Sequence, residues 1–302
     1  MQCAAPPMSR RGGVPDGEVV QLGAVEERTA VLRSGVALPF AVTGSPGRSI
    51  PVVLVHAYVE SWRYFEHVLR SLPSSIHAFA PTQRGHRSVK GKVAGYRISD
   101  FATGIVDFLD AVGIARAVLV GASSGGLVSQ VVATSQPERV AGLVLISSPV
   151  TLSDKPGVTA MRADIMALSD PIDPDFVEQF VRATAPHEVP EEFLARLVEE
   201  SLGVPAAVWR ESFLGLLQLE PQSLGHIRVP TLLLSGSSDD FVREDQQVLL
   251  GRIPDVELVV YDGVGHGPHL ARPRSVAADL AAFLHGTRLQ AAARANDAPT
   301  TT

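Results

Sequence analysis

Apolar positions along this chain follow two different rhythms. Through the first half, short runs of apolar residues alternate with longer stretches of helical spacing. Residues 25–32 and 36–42 predict an antiparallel strand pair that turns at Ser34-Gly35. Residues 51–56 (Pro-Val-Val-Leu-Val-His) are apolar almost throughout, as expected of a central parallel strand covered on both faces. A helix is expected near 62–71 and a buried strand at 76–81. Ser99 then caps a helix whose apolar residues are Phe101, Ile105, Phe108, Leu109 and Val112, ended by Gly113. Strand 118–120, a helix that stops before Pro137, and strand 140–146 complete this part.

From 151 to 221 the rhythm changes. No strand-like run occurs, and prolines at Asp173-Pro174, Val189-Pro190 and Val204-Pro205 mark helix starts. Apolar residues recur at helical spacing, as at Phe176/Phe180, Phe193/Leu197 and Trp209/Phe213. This predicts an all-helical insertion. The alternation then resumes with strand 231–235, a helix near 243–250, strand 256–261 and a helix ending near Gly286. Residues 1–18 and 287–302 read as disordered tails. The expected division is a core of 19–150 and 222–286 and a helical cap of 151–221. Strands alternating with helices predict an α/β fold, a mostly parallel sheet with helices on both faces. In such sheets the chemistry lies just beyond the carboxyl ends of the strands.

Three segments at those ends carry candidate chemistry. Strand 118–120 runs into Gly121-Ala122-Ser123-Ser124-Gly125, a Gly-x-Ser-x-Gly strand-to-helix turn. A turn this sharp strains its central residue and brings the positions two residues either side too close for side chains, so both are glycine. Ser123 is thereby presented at a helix N-terminus, where free N–H groups favour developing negative charge. A lone serine is a weak nucleophile and needs a base. His266, in the glycine-rich loop after the last strand, is the candidate base. Asp239, after the preceding strand, is the candidate acid that orients the imidazole. Asp240 is a weaker choice for that role, and Asp154 a fallback. The backbone N–H of Ser124 and that of Tyr58, in the loop after strand 51–56, are the candidate oxyanion donors. Trp209, Phe213 and Phe176 are candidate pocket residues.

These pieces resemble the α/β-hydrolase superfamily over residues 25–286. The resemblance is carried by Val55-His56-Ala57-Tyr58, Gln83-Arg84-Gly85-His86, the Ser123 turn, Gln136-Pro137-Glu138-Arg139-Val140, Leu234-Ser235-Gly236-x-x-Asp239 and Gly265-His266-x-Pro268-His269. It is most similar to the capped branch that holds serine esterases, cofactor-free haloperoxidases and dehalogenase-like hydrolases. The chain departs from the family in having Ala57 where glycine is usual and Ala122 where His or Trp usually precedes the nucleophile. The resemblance implies an eight-stranded sheet and the order Ser, Asp, His along the chain. It also implies no cofactor and no metal. Relatives that open epoxides or displace halide use an aspartate nucleophile, and Ser123 stands in its place.

Gly121-Ala-Ser-Ser-Gly125 also opens the nucleotide loop of short-chain dehydrogenases. That reading fails, because Leu127 replaces a required glycine and none of the four tyrosines has a lysine four residues on. His266 and His269 have metal-like spacing but lack a third ligand cluster.

Composition narrows the partners. The formal charge of −6 argues against nucleic acid and against a basic membrane-docking face. One cysteine, Cys3, allows no internal disulfide. No apolar run approaches the roughly 18 residues of a membrane span. The insertion carries few basic residues, among them Arg162, Arg182, Arg196 and Arg210, with no cluster suited to a polyanion. The expectation is a cytoplasmic monomer or homodimer that cleaves a small, apolar carboxylic ester, thioester or lactone. One alternative is perhydrolysis on the same triad. An alternative of another class is a catalytically silent protein of this fold that binds a ligand or partner.

Overall fold

The computed structural model describes residues 23–47, 49–91, 95–219, 224–286 and 289. The tail expected at 1–18, with Cys3, lies outside these residues, as does all of the tail expected at 287–302 except Leu289.

Eight strands form one sheet in the order β1-β2-β4-β3-β5-β6-β7-β8. They are β1 (Glu26–Val31), β2 (Ala37–Thr43), β3 (Val52–Val55), β4 (Ala78–Pro81), β5 (Ala117–Ala122), β6 (Val140–Ile146), β7 (Thr231–Gly236) and β8 (Val256–Tyr261). β1 and β2 pair antiparallel, as do β2 and β4, while the remaining neighbours are parallel. Every residue of β3, β5, β6 and β7 is buried, because helices cover both faces of the parallel region. β1, at one edge, is mostly exposed and carries Glu26, Glu27 and Arg28, charges that discourage edge-to-edge association.

The chain steps from β3 outward to β4, then crosses back over β3 to β5 and continues outward the other way. The order therefore reverses at β3 and β5. A crevice opens beyond the carboxyl ends of these two strands, where connections diverge.

Helices α1 (Glu66–Leu69), α2 (Ile98–Ala111) and α3 (Ser124–Ser135) fill the first half. The helix expected over 62–71 is split, since Trp62–Phe65 is a 3-10 turn that leads into α1. Between β6 and β7 come α4 (Pro156–Ala160), α5 (Arg162–Ala167), α6 (Pro174–Thr184), α7 (Glu191–Leu202) and α8 (Ala206–Leu217). The prolines mark three of these starts, with Pro174 inside the first turn of α6 and Pro190 and Pro205 just before α7 and α8. Periodicity did not resolve α4 and α5, which are too short to show a repeat. The fold closes with α9 (Arg243–Arg252), α10 (Pro268–Ala271) and α11 (Pro273–His285). Among the described residues, no helix is long and apolar enough to cross a membrane.

Candidate active site

Ser123 sits between β5 and α3 with φ 49° and ψ −121°, a conformation that non-glycine residues rarely adopt. Its N–H donates to the Ile146 carbonyl at 2.9 Å, which ties the turn to β6. The flanking glycines are needed for close approach. A Cβ at Gly121 would lie 2.4 Å from the Gly125 carbonyl oxygen, and one at Gly125 would lie 2.2 Å from that of Val55. The second clash is with β3, so the turn packs directly on the strand that leads to Tyr58. Val59 (φ 58°) and Ser147 (φ 44°) are also left-handed. All three strained residues follow neighbouring strands of the crevice, the kind of place where such strain collects.

His266 and Asp239 leave β8 and β7. Their loops pack backbone to backbone, with the Ser238 N–H donating to the Val264 carbonyl at 2.9 Å. A Cβ at Gly236 would come within 2.1 Å of that same carbonyl oxygen, so the Gly-x-x-Asp spacing lets the two loops meet. His266 Nε2 is 3.0 Å from Ser123 Oγ, and Nδ1 is 2.9 Å from Asp239 Oδ2. With Asp239 ionised, Nδ1–H donates to the carboxylate and Nε2 accepts from the serine hydroxyl. Asp239 is buried, which by itself would raise its pKa. The hydrogen bond and charge of His266, the Ser147 hydroxyl and the Val242 N–H outweigh burial and hold the carboxyl below its usual range.

The neighbouring candidates separate clearly. Asp240 is exposed and pairs with Arg243. Asp154 is exposed, beside Lys155. His269 is buried between Tyr64 and Phe65, with ring centroids at 4.4 and 5.1 Å. Burial, and then the charge of His266, push its pKa down to about 3, so it is a neutral packing group. His56 is buried too, with Nδ1 2.8 Å from the Ala57 carbonyl and Nε2 accepting from the Gln83 N–H at 2.8 Å. It braces the loop after β3.

A cavity of about 320 Å³ opens onto Ser123 and His266. Tyr58 and Ser124, the candidate oxyanion donors, lie in its wall. The segment between β6 and β7 supplies much of the rest, including Val158, Met161, Phe180 and Phe213. Of the aromatic residues expected to line a pocket, only Phe213 does so. Trp209 is fully buried, with its ring packed on Tyr58 and Phe180 at 5.5 and 5.1 Å. Phe176 packs on Trp209 at 5.9 Å and stands outside the cavity wall. Residues four apart share a helix face, but here that face is divided between a neighbouring helix and the cavity.

Among the cavity residues that sequence reasoning did not find are Glu60, Tyr64, Met161 and Phe241. Two of them had a usable signal, since Glu60 and Phe241 lie in loops that follow β3 and β7. Nor was the Tyr58 side chain foreseen. Its hydroxyl donates to the Trp209 carbonyl at 2.6 Å and so joins the loop after β3 to α8.

A model of the alpha/beta hydrolase family matches residues 52–279. This chain belongs to that family. Epoxide hydrolase A of Mycobacterium tuberculosis is 28% identical to the hydrolase over 89% of this chain and 100% of its own length. Epoxide hydrolase 4 of Homo sapiens is 28% identical over a shorter stretch, 38% of this chain and 32% of that relative. Among solved structures, an esterase from a Rhodococcus species superposes with a TM-score of 0.72 at 25% identity, covering 85% of the hydrolase and 98% of the esterase.

Proposed function

We propose that this hydrolase cleaves a carboxylic ester, thioester or lactone through an acyl-enzyme on Ser123. The observation that carries this reading is the hydrogen-bonded series Ser123–His266–Asp239 opening into an apolar cavity. Ser123 Oγ attacks the carbonyl carbon while His266 Nε2 takes the hydroxyl proton. The negative charge that forms on the carbonyl oxygen accepts hydrogen bonds from the Tyr58 and Ser124 N–H groups. Collapse breaks the bond to the alcohol or thiol, which leaves with the proton from His266. Water then attacks the acyl-enzyme and gives a proton to His266, and Ser123 recovers that proton as the carboxylic acid departs. Asp239 keeps the imidazole oriented and offsets its charge throughout.

Similarity to epoxide hydrolases raises a second reaction, and the chemistry of the nucleophile decides against it. A carboxylate that opens an epoxide forms an ester, which water can cleave. A serine oxygen would form an ether, which it cannot. Ser123 therefore fits acyl transfer.

The test is labelling with a fluorophosphonate followed by peptide mapping, together with hydrolysis of p-nitrophenyl butyrate. We expect the label on Ser123, and a fall in kcat of at least about 10⁴-fold in Ser123→Ala. Labelling elsewhere, or full turnover by the alanine variant, overturns the assignment.

A further inference from the structure

Glu60 takes no part in the Ser123 relay, yet it lies in the wall of the same cavity. It is 5% exposed, and among the described residues its Oε2 has no hydrogen-bond partner. Among the described residues Glu60 makes no ion pair, and the arginines beside its neighbour Glu200 are shared with other carboxylates. Arg63 reaches Glu27 at 2.9 Å, Glu66 at 3.3 Å and Glu200 at 3.5 Å, while Arg87 reaches Glu199 at 2.8 Å and Glu200 at 3.6 Å. Glu200 on α7 thus faces Glu60 as a like charge. Burial, and then that charge, push the Glu60 pKa up to about 8. Tyr64 beside it is raised by burial and by the charges of Glu60 and Asp239. His266 shares the cavity. At neutral pH Glu60 is therefore mostly an uncharged acid, with no partner for Oε2 among the described residues, in a wall that is otherwise mostly apolar.

An unsatisfied buried carboxyl is costly to fold, and an apolar side chain would line an apolar pocket at lower cost. Ligand pockets of this kind contain a few polar groups that fix the ligand's orientation. We propose that Glu60 is the polar anchor of the substrate pocket and donates a hydrogen bond to an uncharged ether or carbonyl oxygen of the substrate outside the scissile group. The preferred substrates are then apolar esters with one such acceptor oxygen. This rests on the Ser123 reading, which the fluorophosphonate label tests separately.

The experiment uses matched esters in which one oxygen replaces one methylene. The pairs are p-nitrophenyl 3-methoxypropanoate with pentanoate, p-nitrophenyl 4-methoxybutanoate with hexanoate, and 2-methoxyethyl butyrate with butyl butyrate. For each pair, the ether-to-alkyl ratio of kcat/KM is measured from pH 6 to 10 in the wild type, Glu60→Gln and Glu60→Leu. Intrinsic reactivity cancels between proteins. In at least one pair the wild-type ratio at pH 7 should exceed that of Glu60→Leu by about tenfold, since a site built around a hydrogen bond rejects the analogue that lacks the acceptor. It should then fall toward the leucine value as pH rises through about 8, where the acid ionises and can no longer donate. Glu60→Gln, which keeps an N–H donor and cannot ionise, should hold a high ratio across that range. Should the leucine variant fail to fold, the wild-type and glutamine profiles decide alone. Equal ratios in all proteins, or a wild-type preference that does not change with pH, overturn the proposal. If Ser123 still takes the label in that case, the acyl-enzyme reading survives and only the role of Glu60 falls.

Discussion

The sheet end and the helices between β6 and β7 meet at one cavity but are held by different means. Ser123, Asp239 and His266 leave the ends of buried parallel strands, where backbones approach so closely that Gly121, Gly125 and Gly236 cannot carry a side chain. The inserted helices rest largely on side chains, with one close backbone approach where a Cβ at Gly215 of α8 would lie 2.2 Å from the Tyr96 carbonyl oxygen. Tyr58, Phe180, Trp209 and Phe213 interlock across the seam, and exposed pairs such as Arg87–Glu199 lie at its margin. The difference teaches that backbone packing positions the proposed reacting groups, while side-chain packing shapes the space above them. Changes at the sheet end should cost turnover. Changes in the helices should cost stability or alter selectivity.

The sharpest way to break this comparison is at the acid. Asp239→Asn should lower kcat on p-nitrophenyl butyrate by about 10⁴-fold, because the amide favours the wrong imidazole tautomer. Asp240→Asn, at an exposed carboxylate, should stay within about twofold of the wild type. Equal losses would mean that His266 is not oriented by Asp239.

Next in size is Trp209→Ala. Removing a fully buried indole should cost about 3–5 kcal/mol in urea unfolding, with a smaller effect on turnover. A variant that keeps its stability but changes its ester preference would move Trp209 into the pocket wall and blur the distinction between the two regions.

The cavity itself predicts a smaller effect. Its volume of about 320 Å³ suits short or medium acyl chains. Across p-nitrophenyl esters, kcat/KM should peak at such chains and fall about tenfold by dodecanoate. Phe213→Ala should move the peak to longer chains. A steady rise through long chains would point to an open cleft.

The smallest effect belongs to the seam. Tyr58→Phe removes the hydrogen bond to the Trp209 carbonyl but keeps the ring and the backbone N–H. It should cost about 1 kcal/mol in urea unfolding and alter kcat less than threefold. A hundredfold loss of kcat would place the hydroxyl in the chemistry.

Much of this site was legible in the chain because its geometry is local. A Gly-x-Ser-x-Gly turn after an apolar run specifies a strained serine presented at the strand end through steric exclusion alone. The Gly236-x-x-Asp239 spacing and His266 after the last strand are likewise short-range patterns, and parallel strands bring their carboxyl ends together whatever lies between them. The wall of the cavity was not legible. Periodicity places Phe176 with Phe180 and Trp209 with Phe213, but one member of each pair faces the cavity and the other a neighbouring helix, and that choice depends on how α6 and α8 lie over the loop after β3. Glu60 reads in sequence as an ordinary acidic loop residue. Only burial beside Glu200, with no ion pair to Glu60 among the described residues, makes it a neutral acid, because the cost of desolvating a charge depends on everything packed around it and not on its neighbours in the chain.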